Sequence, residues 1–411
     1  MNRFFSDRVL IYICSFLRSI SFGMIAVILA IFLMQMHFTK AQIGFIISVG
    51  LIGAALGNIV ATFLGNRIGR RKTLILYGLL TAASGIAIAF SENFYTILCI
   101  SFLGMLNARG KDRGAAVVLE STMLPSVESS HNRTKAFAWY AIVQDVGLAL
   151  GGVLAGLPTL LQAAFEIPLF VSLQSLLYFY AGSMVVMAFC YSRLSAEVEL
   201  SQKEEKASCS PKGKKIIFKI SSLFALDSLG SGFLTSALVA YYLYERFDVG
   251  VEVLGLLFFF ARILNALSYF IAVWLSKRIG LLKTMFYSHA PSHFLLIAIA
   301  LTPSFPVVVA LFLLRECLVE MDVPTRQSYV MAVVDPSERT FAAGATQVVR
   351  MAGWAFGPAL AGLVMHHIDS VAPLYIGAGM KLCYDLLLYF SFKKIKPPEE
   401  AAELKVEKLS A

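Results

Sequence analysis

Long uninterrupted apolar runs limit what this chain can fold into more than any other feature. About twelve stretches of roughly twenty or more mostly apolar residues succeed one another, separated by short polar breaks. A helix needs about 20 such residues to cross ~30 Å of hydrocarbon. Lipid leaves backbone polar groups no water, so only helices or closed barrels span it, and these runs lack the alternation of barrel strands. The predicted spans are 9–36, 42–64, 73–91, 94–124, 137–158 and 168–191, then 216–244, 252–276, 284–303, 306–333, 342–365 and 373–392. The predicted fold class is an all-α integral membrane protein with twelve transmembrane helices. Hydrophobic residues make up 58% of the chain and charged residues 15%. Soluble domains average roughly 45–50% and about 25%. No soluble domain is expected between the spans.

A net charge of +9 can point to nucleic acid, but its distribution excludes that. The cations fall in short loops: Arg67 to Lys72, Arg133 and Lys135, Lys212 to Lys215, Lys277 to Lys283, and Lys393 to Lys396. The alternate loops hold little beyond Lys40 and Arg246. This is the positive-inside pattern, so a multi-pass protein of the cell membrane with both termini cytoplasmic is expected. The first run is long enough to be a span, so no cleavable signal peptide is expected. One polar segment, 193–215, contains "SAEVELSQKEEKASCSPKGKK" and is expected to be a linker that is largely disordered or at most loosely helical. It divides the chain into a first bundle (1–192), the linker (193–215), a second bundle (216–392) and a cytoplasmic tail (393–411). The six cysteines show no metal-ligand spacing and read as small core residues.

The two halves repeat one another. "GNRIGRRKTL" (65–74) returns as "SKRIGLLKTM" from Ser276, with 278 − 67 = 211 residues between the matching arginines. "RTKAFAWYAIVQDVGLALGGVLAG" from Arg133 aligns without a gap on "RTFAAGATQVVRMAGWAFGPALAG" from Arg339, a spacing of 339 − 133 = 206. Gly147, Gly151 and Gly156 fall on Gly353, Gly357 and Gly362. "FLRSISFG" from Phe16 aligns on "ALDSLGSG" from Ala225, which sets Arg18 on Asp227. Six is an even number of spans, so the halves are parallel repeats about an axis along the membrane normal, a pseudo-symmetric pair of six-helix bundles.

The order of span 2, basic loop and span 3, with a degenerate copy between spans 8 and 9, resembles the major facilitator superfamily over nearly the whole chain. The resemblance implies a secondary transporter working by alternating access, with a solute site at the interface of the halves. It makes Gly65, Asn66, Arg67, Gly69, Arg70 and Arg71 the conformational-switch loop. Asn66 stands where the family carries an acid, which implies a weaker latch. The resemblance also has spans 1, 4, 7 and 10 line the cavity. The glycines of spans 5 and 11, with Pro358, then pack against the opposite half and slide. Antiporters of the family often carry Gly-Pro in span 5; here Gly151 is followed by Gly152, and Gly357-Pro358 lies in span 11.

Ionisable side chains inside a membrane are costly and normally face a cavity or one another. Arg18, Arg109, Arg113, Asp227 and Arg262 are the candidate solute-binding residues. Asp227, Glu120, Glu320 and Asp322 are the candidate proton carriers. Arg109, Arg113 and Glu120 fall on one face of a continuous span 4. Lys381 and Asp385, four apart, are expected to pair with each other. The adjacent Arg315 and Glu316 are expected to point in different directions. Arg18 and Asp227 are expected to pair directly or to share a partner; the alternative is that each pairs within its own half, for example Arg18 with Asp145. Four histidines raise the question of metal, but His366 and His367 are adjacent and diverge, so no metal or other cofactor is expected. No phosphate-binding Gly-rich loop and no nucleophile–base set appear, so an enzyme is not expected. The reading that results is a monomeric, proton-coupled secondary transporter of a small organic solute, with efflux favoured. A proton-coupled importer of a sugar or organic acid is the alternative, and a non-transporting sensor or scaffold a third. Its partners are the solute, protons and the lipid bilayer.

Overall fold

The computed structural model describes residues 6–111, 114–124, 133–199, 210–335 and 338–393. Every regular element among the described residues is helical. Span 1 is α1 (Asp7–Gln35), span 2 is α2 (Lys40–Ile68) and span 3 is α3 (Arg70–Phe90). Span 4 divides into α4 (Phe94–Leu103) and α5 (Ala115–Met123), and span 5 into α6 (Arg133–Leu154) and α7 (Leu157–Phe165). Span 6 is α8 (Leu169–Ser192). Span 7 divides into α9 (Pro211–Phe233) and α10 (Ser236–Phe247). Then come α11 (Val251–Ile279) and α12 (Leu281–Leu301). Span 10 divides into α13 (Phe305–Val319) and α14 (Asp322–Val333), followed by α15 (Arg339–His367) and α16 (Ala372–Phe392).

Local chemistry sets the ends. Thr39 and Gln42 close a capping box at the start of α2, and Asn93 caps α4. Gly69 (φ 104°) and Gly280 (φ 85°), 280 − 69 = 211 apart, both take a left-handed turn that L side chains resist, and each ends one span and starts the next.

The expectation of a continuous span 4 over 94–124 is corrected. Gly104, Gly110 and Gly114 break the helix, with Met105 and Gly110 at positive φ. Backbone freed in this way needs partners where water is absent. Asn107 supplies two, donating from Nδ2 to the Lys111 carbonyl (2.8 Å) and accepting from the Arg109 N–H (3.1 Å). Span 10 breaks at the equivalent place, between Val319 and Asp322. In the linker, residues 196–199 form a short 3-10 turn, within the loosely helical alternative, while α9 already begins at Pro211, ahead of the expected 216.

Packing gathers the chain into two units. The first holds the described residues of 1–203, 234–260 and 358–370. In it α1 is enclosed by α6, α8 and α10, and its residues from Ile20 to Leu33 are buried throughout. The second holds those of 204–233, 261–357 and 371–411. Its core joins α9, α12, α14 and α16 through Ile220, Phe224, Met285, Tyr329, Tyr384 and Leu388. Large apolar side chains such as Phe90, Phe218, Phe270 and Phe390 stand exposed, as expected of faces turned to lipid.

Candidate functional site

Arg18 of α1 and Glu120 of α5 form a buried bidentate pair. Arg18 Nη1 donates to Glu120 Oε1 at 3.0 Å and Nη2 to Oε2 at 2.6 Å. Tyr191 donates to Oε1 and Tyr140 to Oε2, each at 2.6 Å, and Tyr191 accepts from Arg18 Nη1 at 2.8 Å. Glu120 is 0% exposed and Arg18 3%. Two charges this dry persist only as a hydrogen-bonded pair. Arg18 also lines a small cavity with Tyr77, Thr81, Asn107, Met184 and Met187. Its volume, about 40 Å³, holds a few waters or the head of a small solute.

The second repeat carries the same arrangement with the signs exchanged. Asp227 of α9 stands 227 − 18 = 209 residues from Arg18, and Arg326 of α14 stands 326 − 120 = 206 from Glu120. Arg326 Nη1 lies 3.6 Å from Asp227 Oδ2, and Arg350 Nη2 3.8 Å from the same oxygen. Lys381 Nζ donates to Asp227 Oδ1 at 2.7 Å. Arg326 is bound in turn by Asp322, one turn earlier on α14. Arg350 lies over the rings of Phe224 and Trp354.

These partners decide one expectation and correct two. Arg18 and Asp227 each have a counter-charge within their own repeat, the second of the alternatives, with Glu120 rather than Asp145 as the partner of Arg18 and Lys381 as that of Asp227. Lys381 and Asp385 do not neutralise each other, because Lys381 reaches α9 while Asp385 faces His289 and His293 on α12. Arg315 and Glu316, though adjacent, do bond, and Glu316 also accepts from Asn265 Nδ2 at 3.0 Å. Long side chains bend back along a helix far enough to meet a neighbour.

The common helix face expected to join Arg109 to Glu120 does not form. Arg109 lies in the non-helical stretch, where its carbonyl accepts from Ser236 Oγ at 3.0 Å. Arg113 lies outside the described residues. Ala108 O accepts from Ala237 N at 3.3 Å, so the break in span 4 is bonded to the start of α10 beside the break in span 7. Glu320 caps α13 at the break of span 10, and Arg262 is half-buried on α11.

The basic loop is held by a residue that sequence reasoning missed. The Glu199 carboxylate accepts from the Arg70 N–H (2.7 Å) and the Arg71 N–H (3.0 Å), capping the start of α3. Arg71 Nη1 donates to the Leu194 carbonyl at 2.9 Å. Arg67 is exposed, and the Asn66 side chain lies outside the described residues. The signal for Glu199 was an acidic residue a few positions past the end of span 6, in a segment read as unstructured.

The glycines fall into two sets. A Cβ at Gly147 or Gly151 would meet the α1 backbone at Phe16 and Ile20, and one at Gly353 or Gly357 would meet α9 at Leu229 and Gly232. These contacts lie within one half, which corrects the expectation that all of these glycines face the opposite half. Gly156 meets Glu252, and Gly362 meets Gly44 and Lys40, and these contacts do join the first and second repeats. The Pro358 carbonyl lies over Gly44, and the Ala359 N–H donates to Ser48 Oγ at 2.7 Å. At the end of α1 remote from Asp7, Lys40 Nζ lies 2.7 Å from Glu245 Oε1. Ser370 Oγ accepts from Lys40 and donates to Glu245 Oε2 at 2.6 Å. Two further hydroxyls bond nearby carboxylates: Tyr241 to Glu245 (3.1 Å), and Thr159 to Glu252 (2.5 Å).

Comparison with known proteins agrees with this architecture. The family model of the Major Facilitator Superfamily matches residues 11–226 and again 220–410. An uncharacterised membrane protein of Saccharomyces cerevisiae is 25% identical over 424 residues, covering 94% of each chain. Among solved structures, the nucleoside transporter NupG has a TM-score of 0.73 at 15% identity, over 95% of this chain and 100% of that one. A D-xylose-proton symporter has a TM-score of 0.71 at 12% identity, over 93% and 96%. The chain belongs to the Major Facilitator Superfamily and is a membrane transporter of that type, not an enzyme.

Proposed function

We propose that this protein is a secondary transporter that carries a small organic anion together with a proton by alternating access. The observation that carries this reading is the buried Arg18–Glu120 pair at the edge of a cavity. A guanidinium held by a carboxylate accepts another anion only when that carboxylate is relieved. Protonating Glu120 frees Arg18 for the acidic group of a solute, so proton and solute bind with positive cooperativity. That linkage favours symport. It turns the efflux reading toward an importer or, from an acidic compartment, a carrier out of the lumen. The mainly apolar lining with Tyr77, Thr81 and Asn107 fits a solute with one acidic group on a small apolar body. The second repeat, with Asp227 ringed by Lys381, Arg326 and Arg350, holds a second buried charge cluster.

Alternating access needs an end that closes and opens. The contact of Lys40 with Glu245 and Ser370, beside the paired Gly44 and Gly362, is a closure of that kind. With the basic loops cytoplasmic, it lies on the outer side. Uptake of radiolabelled monocarboxylates and dicarboxylates into proteoliposomes, alkaline inside, tests the reading. Accumulation of at least one of them above the equilibrium level, abolished by a protonophore, is expected. Flux that is equally fast with no pH gradient, or driven by the reversed one, contradicts symport; no flux at all favours a scaffold.

A further inference from the structure

Two histidines of α12 and one aspartate of α16 enclose a point that the transport reading does not use. His289 and His293 are four residues apart, so both rings leave one face of α12. His289 Nδ1 lies 2.7 Å from Asp385 Oδ1, and His293 Nε2 lies 3.0 Å from Asp385 Oδ2. The two ring nitrogens are 3.3 Å apart, and all three side chains are buried.

The placement of protons leaves this cluster one positive charge short. Ser292 Oγ donates its single proton to the His289 carbonyl at 2.6 Å. Toward His293 Nδ1, 3.4 Å away, it can then only accept, which puts a proton on that nitrogen. His289 Nδ1 donates to Asp385 Oδ1. Nε2 of a neutral His293 is therefore an acceptor, and it faces Asp385 Oδ2, which receives no hydrogen bond. Two lone pairs oppose each other in a dry interior, at a cost that a cation between them removes. Lys381 is bound by Asp227 and Arg326 by Asp322. Among the described residues, the salt-bridge contacts within 4 Å of Asp385 are to these two histidine rings, which are charged only when doubly protonated.

We propose that His289, His293 and Asp385 form a binding site for a single divalent first-row transition-metal ion of the Zn²⁺ or Co²⁺ class, tying α12 to α16. Two imidazole nitrogens and one carboxylate oxygen are a donor set that such ions take, with a fourth position open to water. Ligands at ~2.0–2.1 Å from a tetrahedral ion lie about 3.3 Å apart, and the two ring nitrogens already have that separation. The two shorter separations are those of hydrogen bonds. They open slightly when the ion takes the place of the His289 Nδ1 proton, which moves to Nε2 so that the ring stays neutral. Ser292, on the far nitrogen of His293, fixes Nε2 as the ligand atom, as outer partners of metal-binding histidines do. Lys381 and Arg326 oppose added positive charge, so the affinity expected is below that of a closed structural zinc site.

Titration of the tag-free, full-length protein in detergent, stripped with EDTA, with Co²⁺ alone tests this. A single Co²⁺ per chain is expected by mass spectrometry, with the visible absorption of a tetrahedral nitrogen–oxygen site. Zn²⁺ is expected to displace it and either ion to raise the Tm. His293→Gln and Asp385→Asn should each weaken binding at least about tenfold, while the double variant His366→Ala/His367→Ala keeps it. Absence of stoichiometric Co²⁺ in the wild-type protein overturns the proposal whether or not the variants fold. So does binding that survives both His293→Gln and Asp385→Asn, or binding lost in the His366/His367 variant.

Discussion

Glu120 receives four hydrogen bonds, two from Arg18 and one each from Tyr140 and Tyr191. A neutral amide accepts at only one of its two terminal atoms, so Glu120→Gln sets an N–H₂ against a donor and leaves Arg18 buried without counter-charge. Removing one member of a buried pair costs about 3–5 kcal/mol. Glu120→Gln is expected to lower the Tm in detergent and to lose gradient-driven accumulation while counterflow exchange persists, measured in proteoliposomes. Uphill transport by this variant would remove Glu120 as the proton carrier. A similar argument applies to Asp227. Asp227→Asn takes from Lys381 the carboxylate it bonds, so adding Lys381→Met should recover part of the lost Tm. If the two changes are additive, Lys381 and Asp227 are not coupled. The charged positions were legible in the sequence, since an ionisable residue in an apolar run declares itself. Their partners were not. Arg18 and Glu120 are 120 − 18 = 102 residues apart, and no local rule pairs residues so distant. The equivalence of Glu120 with Arg326 was present in the spacing of 206, but reading it required knowing that both face the span 1 or span 7 helix.

Helices approach closely where both offer small residues. The α1–α6 contact, with Gly23, Gly147 and Gly151, and the α9–α15 contact, with Gly232, Gly353 and Gly357, are one packing solution used twice. Here the repeat in the sequence became a repeat in the packing, which is why it was legible. Gly151→Leu or Gly357→Leu pushes a side chain into backbone within one half, where overpacking costs about 1–3 kcal/mol or more. Both should lower folded yield, measured by size-exclusion profile. Gly362→Leu presses instead on Gly44 and Lys40 of the other repeat. It should fold, and it should raise the labelling of a cysteine placed at Ser370 by a membrane-impermeant thiol reagent. Unchanged labelling would mean that this contact does not hold the end closed. The breaks in spans 4 and 10 were misread because hydropathy reports burial in lipid and not helix continuity. The three glycines around Asn107 and Arg109 were the available sign.

Over the whole molecule, the proposed alternating access requires the end at which Lys40, Glu245 and Ser370 meet to open in each cycle. Replacing Lys40 and Glu245 with cysteines and joining them with a short bifunctional thiol reagent should stop transport, and a reducible reagent should allow it to resume on reduction. Transport that continues through the cross-linked protein would show that this end does not move. The fold at this scale was almost wholly legible, because apolar length, basic loops and an internal repeat each act over hundreds of residues. The solute was not, because it depends on a cavity built by side chains from several helices. The claim that joins these levels is that one proton enters Glu120 as a solute anion takes Arg18. It is tested most directly by adding the carboxylate selected in the uptake panel to purified protein in weakly buffered solution and following pH. Net proton uptake by the wild-type protein is expected, and none by Glu120→Gln at equal solute occupancy. Solute binding without proton uptake in the wild-type protein, or the same uptake in Glu120→Gln, would contradict it.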